Sequence, residues 1–465
     1  MLEHIFRTDW LASSPVFYNQ KTKKVSSNIN DVIEFNNFEF DIDGLYLYLM
    51  FGYSALGRTP IRDVYFLSPN SELLLNQNSG FTIIENEDPV PSLLNKDITL
   101  NPADVLSLLE NKIQKWEYEV KGDIIIPSSG GYDSRLLNCM ISDKKRIKAF
   151  SYGTSPVQEN SFECVRAREY TKRLGIDFHR VELGHFHQYI DEWYSLYGIS
   201  THLHGMYHLE FYHQIINQGF GNNPLLSGII GDAWAGAVHI QKISEWKDVQ
   251  LLSYSHGMNA NPSFLLKKPA ENLLEKYYEH EKYLLEDERY RIISSMRMKI
   301  MLLSYLMRVP DSLGFKPWSP FLDMEVAIAM LRLPEEQREG RKWQDDFFKK
   351  WNVNNQSLSS CKSTRVNMLD RMAMGKVPLV PLNKELLKEI IDTEYIDWIN
   401  KNISSKSFFK KYYYNLFYLP YIKEGIKIMK FKNHEINAYN AYLVLKPLEF
   451  LLQKRNFTYK NDIKS

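Results

Sequence analysis

Apolar and polar positions alternate over short spans in the first hundred residues. Phe38 to Tyr48, Val64 to Leu67 and Gly80 to Glu85 read as strands, broken by turn signals at Asp41/Asp43, Pro69-Asn70 and Asn76-Gln77-Asn78. This predicts a small β-rich N-terminal module over residues 1–100. Past the link Asp88-Pro89-Val90-Pro91 the period changes, and Val105, Leu108, Leu109, Ile113 and Trp116 fall at helical spacing. Asp123 to Pro127 is then a β-branched run that stops abruptly at Ser128-Ser129-Gly130-Gly131, and helical spacing starts at Asp133 and runs through Leu136, Leu137 and Met140. A second strand over Ile147 to Tyr152, a helix over Ser161 to Leu174 closed by Gly175, and a third strand over Phe178 to Leu183 continue the alternation. The pattern predicts an α/β fold with a parallel, doubly wound sheet that binds ligands at the carboxyl ends of its strands. The second unit is expected to span 101–465, with its sheet core over about 120–335 and a helical C-terminal region over about 336–465.

Composition removes several function classes. The 465 residues carry 57 Lys plus Arg against 56 Asp plus Glu, a net charge of +1 that gives no electrostatic reason to expect a nucleic-acid partner. Hydrophobic residues at 44% and charged residues at 24% are globular values rather than those of a disordered chain. The three cysteines, Cys139, Cys164 and Cys361, are too scattered for a C-x-x-C pair or a disulfide framework. No run of about 18 to 20 apolar residues offers a membrane span. Without a signal-like start, a cytoplasmic protein is expected.

The stop between strand and helix carries the most chemistry. Glycines let backbone N–H groups turn around an anion, the Ser129 and Ser134 hydroxyls add donors, and a helix N-terminus adds its positive dipole end. This suits a phosphate. Asp133 repels a phosphate directly, so its expected task is to hold Mg²⁺ that bridges phosphate oxygens. The plainer alternative is a tight turn with Asp133 as a helix cap.

Ser129-Gly130-Gly131-Tyr132-Asp133-Ser134 resembles the PP-loop of the ATP pyrophosphatases, an adenine nucleotide alpha hydrolase-like group, and in particular the S-G-G-x-D-S of the asparagine synthetase family. Further stretches resemble that family in its own order: Glu163 through Leu174-Gly175, Leu226 to Asp232 with Ile230 where a glycine is usual, Pro320-Phe321-Leu322-Asp323 with Leu333-Pro334, and Lys362 within Cys361 to Arg365. The resemblance implies ATP and Mg²⁺ as cofactors. It implies ATP contacts at Ser128, Ser129, Gly130, Gly131, Asp133, Ser134, Phe150, Ser227 and Gly228, metal ligation by Asp133 and Asp232, and a catalytic set of Asp133, Asp232 and Lys362. The implied reaction is adenylation of a carboxylate with release of pyrophosphate, followed by transfer of the acyl group to ammonia or an amine.

Departures from the family pattern shape the rest of the expectation. Residue 2 is Leu2 and no cysteine precedes Cys139, so the thiol of a glutaminase is missing. The N-terminal module is expected to be a shortened relic kept for packing, or a dock for an ammonia-supplying protein. Ile229 replaces a glutamate and Lys316-Pro317-Trp318 replaces an E-x-R pattern, so aspartate is not the expected acid; sugar acids of polysaccharides or natural-product precursors are candidates by analogy. Arg135, Glu163, His204 and His208 are candidate substrate residues; for Arg135 an exposed first-turn arginine is an equal alternative. His202, His204 and His208 lack the companions of a zinc site and suit an acceptor pocket or a general base. The Lys- and Tyr-rich stretch Lys406 to Tyr414 reads as helical packing. The alternatives are an intramolecular cyclase like the β-lactam-forming relatives, a non-catalytic ATP-binding scaffold or sensor, and, more weakly, a tRNA-modifying enzyme.

Overall fold

The computed structural model describes residues 4–76, 80–95, 100–253, 257–359, 362–403 and 433–462, with side chains as far as 455. Leu2, Cys361 and the stretch 406–414 lie outside them. Two three-stranded antiparallel sheets open the chain. β1 (His4–Arg7), β5 (Ser71–Asn76) and β6 (Gly80–Glu85) form one with β5 in the middle; β2 (Phe17–Asn19), β3 (Val25–Ser26) and β4 (Val64–Phe66) form the other around β2.

The strand expected over Phe38 to Tyr48 is a correction: Ile42–Phe51 is a helix. Asp41 caps it, its carboxylate accepting from Gly44 N at 3.0 Å. Leu45, Leu47, Tyr48, Leu49 and Phe51 are all buried, so the helix is enclosed on most sides and shows no clear amphipathic period.

Five parallel strands make the main sheet, in the order β11 (Lys316–Trp318), β10 (Pro224–Leu226), β7 (Ile124–Pro127), β8 (Ile147–Tyr152), β9 (Asp177–Val181). Ile124, Ile125 and Ile126 are wholly enclosed, as a central strand covered on both faces requires. From β7 the chain steps outward to β8 and β9, then returns to lay β10 and β11 on the other flank. The order therefore reverses between β7 and β10, and a crevice opens where their carboxyl ends diverge. The segments that leave those two ends are 128–131 and 227–230.

Helices cover this sheet much as the periodicity predicts: Pro102–Glu119, Tyr132–Met140 and Phe162–Leu174, the last closed by Gly175 in the left-handed region at φ +69°. Beyond 335 the described elements are helical, ending in His434–Asp462. Residues of the N-terminal module and of the parallel sheet share one buried apolar cluster. Two further contacts tie the N-terminal module to the rest of the chain. Trp10 packs on Trp234 at 5.7 Å between ring centroids and donates from its indole N–H to Leu322 O at 2.8 Å. The carbonyl of Gly52 accepts from His202 N at 2.8 Å. Among the described residues no helix is long and apolar enough to cross a membrane.

Candidate functional site

Segment 128–131 is a loop braced from within. Ser128 Oγ donates to Ile126 O and accepts from the Asn138 amide, each at 3.0 Å, while Gly131 N donates to Ser129 Oγ and Ser129 N to Ser134 Oγ, each at 3.1 Å. Gly130 has no room for a side chain, since a Cβ there would sit 2.8 Å from the Phe162 ring and 2.9 Å from Arg166 Cβ. The helix that follows starts at Gly131 without any side-chain cap, so Asp133 is not the cap of the plainer reading. Its first-turn N–H groups have no capping oxygen, which is the arrangement that accepts an anion.

Segment 227–232 closes on this loop. A Cβ on Gly231 would lie 2.8 Å from Phe321 and 3.0 Å from Asp133 Cγ, so glycine is what allows the approach. Ile230, one residue earlier, sits at φ 52°, ψ 9°, a left-handed conformation that a β-branched residue adopts only under strain. The strained turn brings Asp232 toward Asp133. Burial, and then the charge of Asp232, push the Asp133 carboxyl well above the usual carboxylate range, opposed by Arg341, the Asp232 backbone N–H and the Gln344 amide. Asp133 Oδ1 is buried without a hydrogen-bond partner. Burial lowers the pKa of the Lys299 ammonium, and the charge of Asp232 opposes that shift.

These groups line a cavity of about 690 Å³. Ser128, Ser129, Gly131, Asp133, Ser134, Phe150, Glu163, His204, His208, Ser227, Gly228 and Asp232 are all on its wall, drawn from five separate stretches of chain. Glu163 has one buried carboxylate oxygen without a partner, and burial raises its pKa. Gly130 lies behind the wall, against the helix Phe162–Leu174.

Two more expected residues are off the wall. Arg135 is neither exposed nor on the cavity wall. Fully enclosed, it donates to Gly130 O at 3.1 Å and Val353 O at 2.8 Å and stacks over Phe348 at 4.7 Å, tying the loop down from beneath. Lys362 is exposed and off the wall; its neighbour Thr364 pairs with the start of the helix Phe162–Leu174.

The lysine that does line the cavity is Lys299, which sequence reasoning missed. Its signal was present: it is the single lysine of the helix Glu288–Leu303 and precedes the buried run Ile300, Met301, Leu302. Tyr152, Tyr207 and Tyr305 on the wall were missed as well, because aromatic residues read first as core.

Among the described residues no group of three or more His, Cys, Asp or Glu could hold a metal on protein ligands alone. Two facing carboxylates, one with an orphaned oxygen, fit a cation that takes part of its shell from substrate phosphates and water, as Mg²⁺ does. A scan against models of protein families matches none, and a search of curated proteins returns no match.

Proposed function

We propose that this chain is an ATP-dependent amide-forming ligase of the asparagine synthetase type, lacking its own glutaminase. The carrying observation is the meeting of Asp133 and Asp232 at the sheet's switch point, beside an uncapped helix N-terminus and Lys299. A carboxylate with one oxygen buried beside a second, exposed carboxylate is costly unless a cation shares them. That cost is intelligible if Mg²⁺ and the phosphates of ATP complete the site.

In this reading Ser128 to Ser134 cradle the phosphates, and Phe150, within β8 and with its ring enclosed against His179 and Phe220, lies on the wall beside the nucleoside. Asp133 and Asp232 would hold Mg²⁺, which when bound would neutralise charge on the phosphate oxygens. A carboxylate oxygen of the substrate attacks the α-phosphorus, the bond to the β-phosphate bridging oxygen breaks, and pyrophosphate leaves. Lys299 faces that departing charge, the role expected of Lys362. The lone pair of ammonia or an amine then attacks the acyl carbon; AMP departs and the nitrogen loses a proton. Ammonia is free or supplied by another protein, because the chain has no thiol before Cys139.

Incubation with Mg²⁺, α-³²P-ATP and a pool of small carboxylic acids, with and without ammonium, tests the proposal. The expected result is labelled AMP with matching pyrophosphate, dependent on acid and lost in D133N. ADP as the product would contradict it.

A further inference from the structure

Beyond the facing carboxylates the same cavity continues into a chamber that the phosphates do not fill. The chamber matters only if the other end is the ATP site, so its reading as a substrate pocket rests on the proposed function. Its wall includes Tyr207, His208, Phe211, Tyr212, Tyr305 and Leu306. The His208 ring lies 4.4 Å from that of Tyr207 and 4.8 Å from that of Tyr305, and the Tyr207 and Tyr305 hydroxyls pair with each other at 3.3 Å. Among the wall residues the only Asp, Glu, Lys or Arg are Asp133, Asp232 and Lys299 at the loop end and Glu163, which shares the wall with Thr154 just past β8. His204 stands 3.7 Å from Asp370, which is off the wall.

Two imidazoles on this wall are short of partners. His202 is 1% exposed and its Nδ1 accepts the backbone N–H of His204 at 3.0 Å. Burial lowers its pKa to about 3, so the ring is neutral and its single proton sits on Nε2. That Nε2 is buried with no acceptor, and Nδ1 of His208, a side chain 6% exposed, is likewise buried without a partner. Buried polar groups without partners are rare and ask for an explanation.

We infer that this chamber takes the body of the substrate acid, and that the body is aromatic or apolar, bears no second anionic group, and carries a neutral hydrogen-bond acceptor that meets the His202 N–H. A second carboxylate would be enclosed among rings whose nearest charges, Glu163 and Asp370, are also negative, and a polyol would leave most of its hydroxyls unpaired. This replaces sugar acids, and dicarboxylic acids such as aspartate, by aromatic-bodied acids.

The test is equilibrium binding to the full chain in the presence of Mg²⁺ and α,β-methylene-ATP, which cannot be cleaved between its α and β phosphates. The probes are 4-acetamidophenylacetate, phenylacetate, aspartate and glucuronate. Both aromatic acids are expected to bind, the acetamido acid more tightly, and aspartate and glucuronate not to bind. In His202→Asn the amide oxygen replaces Nδ1 as acceptor for His204 N–H, but nothing reaches the place of Nε2. The acetamido acid should lose affinity roughly tenfold, the size of one hydrogen bond, while phenylacetate is unchanged. An unaltered affinity for α,β-methylene-ATP shows that the variant is folded. Tighter binding of aspartate or glucuronate, equal losses for both aromatic acids in His202→Asn, or no binding of any acid would overturn the inference. Failure of the wild type to bind α,β-methylene-ATP would instead overturn the ATP reading. Aromatic acids that bind but never yield AMP from ATP and ammonium would leave the chamber standing and remove the ligase.

Discussion

The two ends of the cavity are built on opposite principles. At the loop end, glycines, hydroxyls and two carboxylates converge from strand termini, and stability is given up: Asp133 is buried against a like charge and Ile230 is strained. At the chamber end, rings enclose neutral imidazoles, and what is left unsatisfied is an N–H donor. The first end is arranged for a highly charged ligand that brings its own cation. The second is arranged for a ligand body without added negative charge. The contrast teaches that a buried unsatisfied group describes what it awaits, charge in one place and a hydrogen-bond acceptor in the other.

The comparison is broken most severely at Asp133. D133N should lower AMP formation roughly 1,000-fold, as loss of a group that organises transition-state charge does. Its stability should move the other way. The raised pKa means that the folded protein keeps a proton that the unfolded chain releases, so stability falls as pH rises from the usual carboxylate range through the raised value. Melts of D133N at pH 5 and pH 8 in EDTA should show that fall removed, and added Mg²⁺ should reduce it in the wild type. Next in size is Lys299→Met, expected to cost about 100-fold in kcat with KM for ATP little changed, whereas Lys362→Ala leaves the rate unaltered. Equal losses in the two lysine variants would return the role to Lys362. Gly231→Ala forces a Cβ against Phe321 and Asp133, and should cost about 1–3 kcal/mol in denaturant melts along with part of the activity. Smallest is the difference between Ile230→Gly and Ile230→Ala: both lose the buried side chain, but only glycine relieves the left-handed strain, so it should be the more stable of the two by about 1 kcal/mol in denaturant melts.

How much of this was legible depends on how local each feature is. β7, the turn at 128–131 and the helix after Ser161 were readable because strand, glycine turn and helix follow one another within a few residues. The glycine-like conformation of Ile230 was signalled only by the resemblance, which puts a glycine at that place; the β-branched side chain itself argues against it. The helix Ile42–Phe51 was misread because an enclosed helix shows neither period clearly. Arg135 could not be placed from its position in a first turn, since its partners lie more than 200 residues away at Val353 and Asn355. The chamber was invisible for the same reason, and Lys299 left only the faint signal of one lysine before a buried run: their neighbours arrive from distant helices, and only tertiary packing makes a tyrosine a wall rather than core.

The central claim is that the acid in the neutral end is activated by the nucleotide in the charged end. An acid labelled with ¹⁸O in its carboxylate, supplied with ATP, Mg²⁺ and ammonium, tests this by mass spectrometry of the AMP. One ¹⁸O in the AMP phosphate is the expected result, because the carboxylate oxygen that attacks the α-phosphorus leaves with AMP. Unlabelled AMP would mean that water attacks the nucleotide, and would contradict the claim.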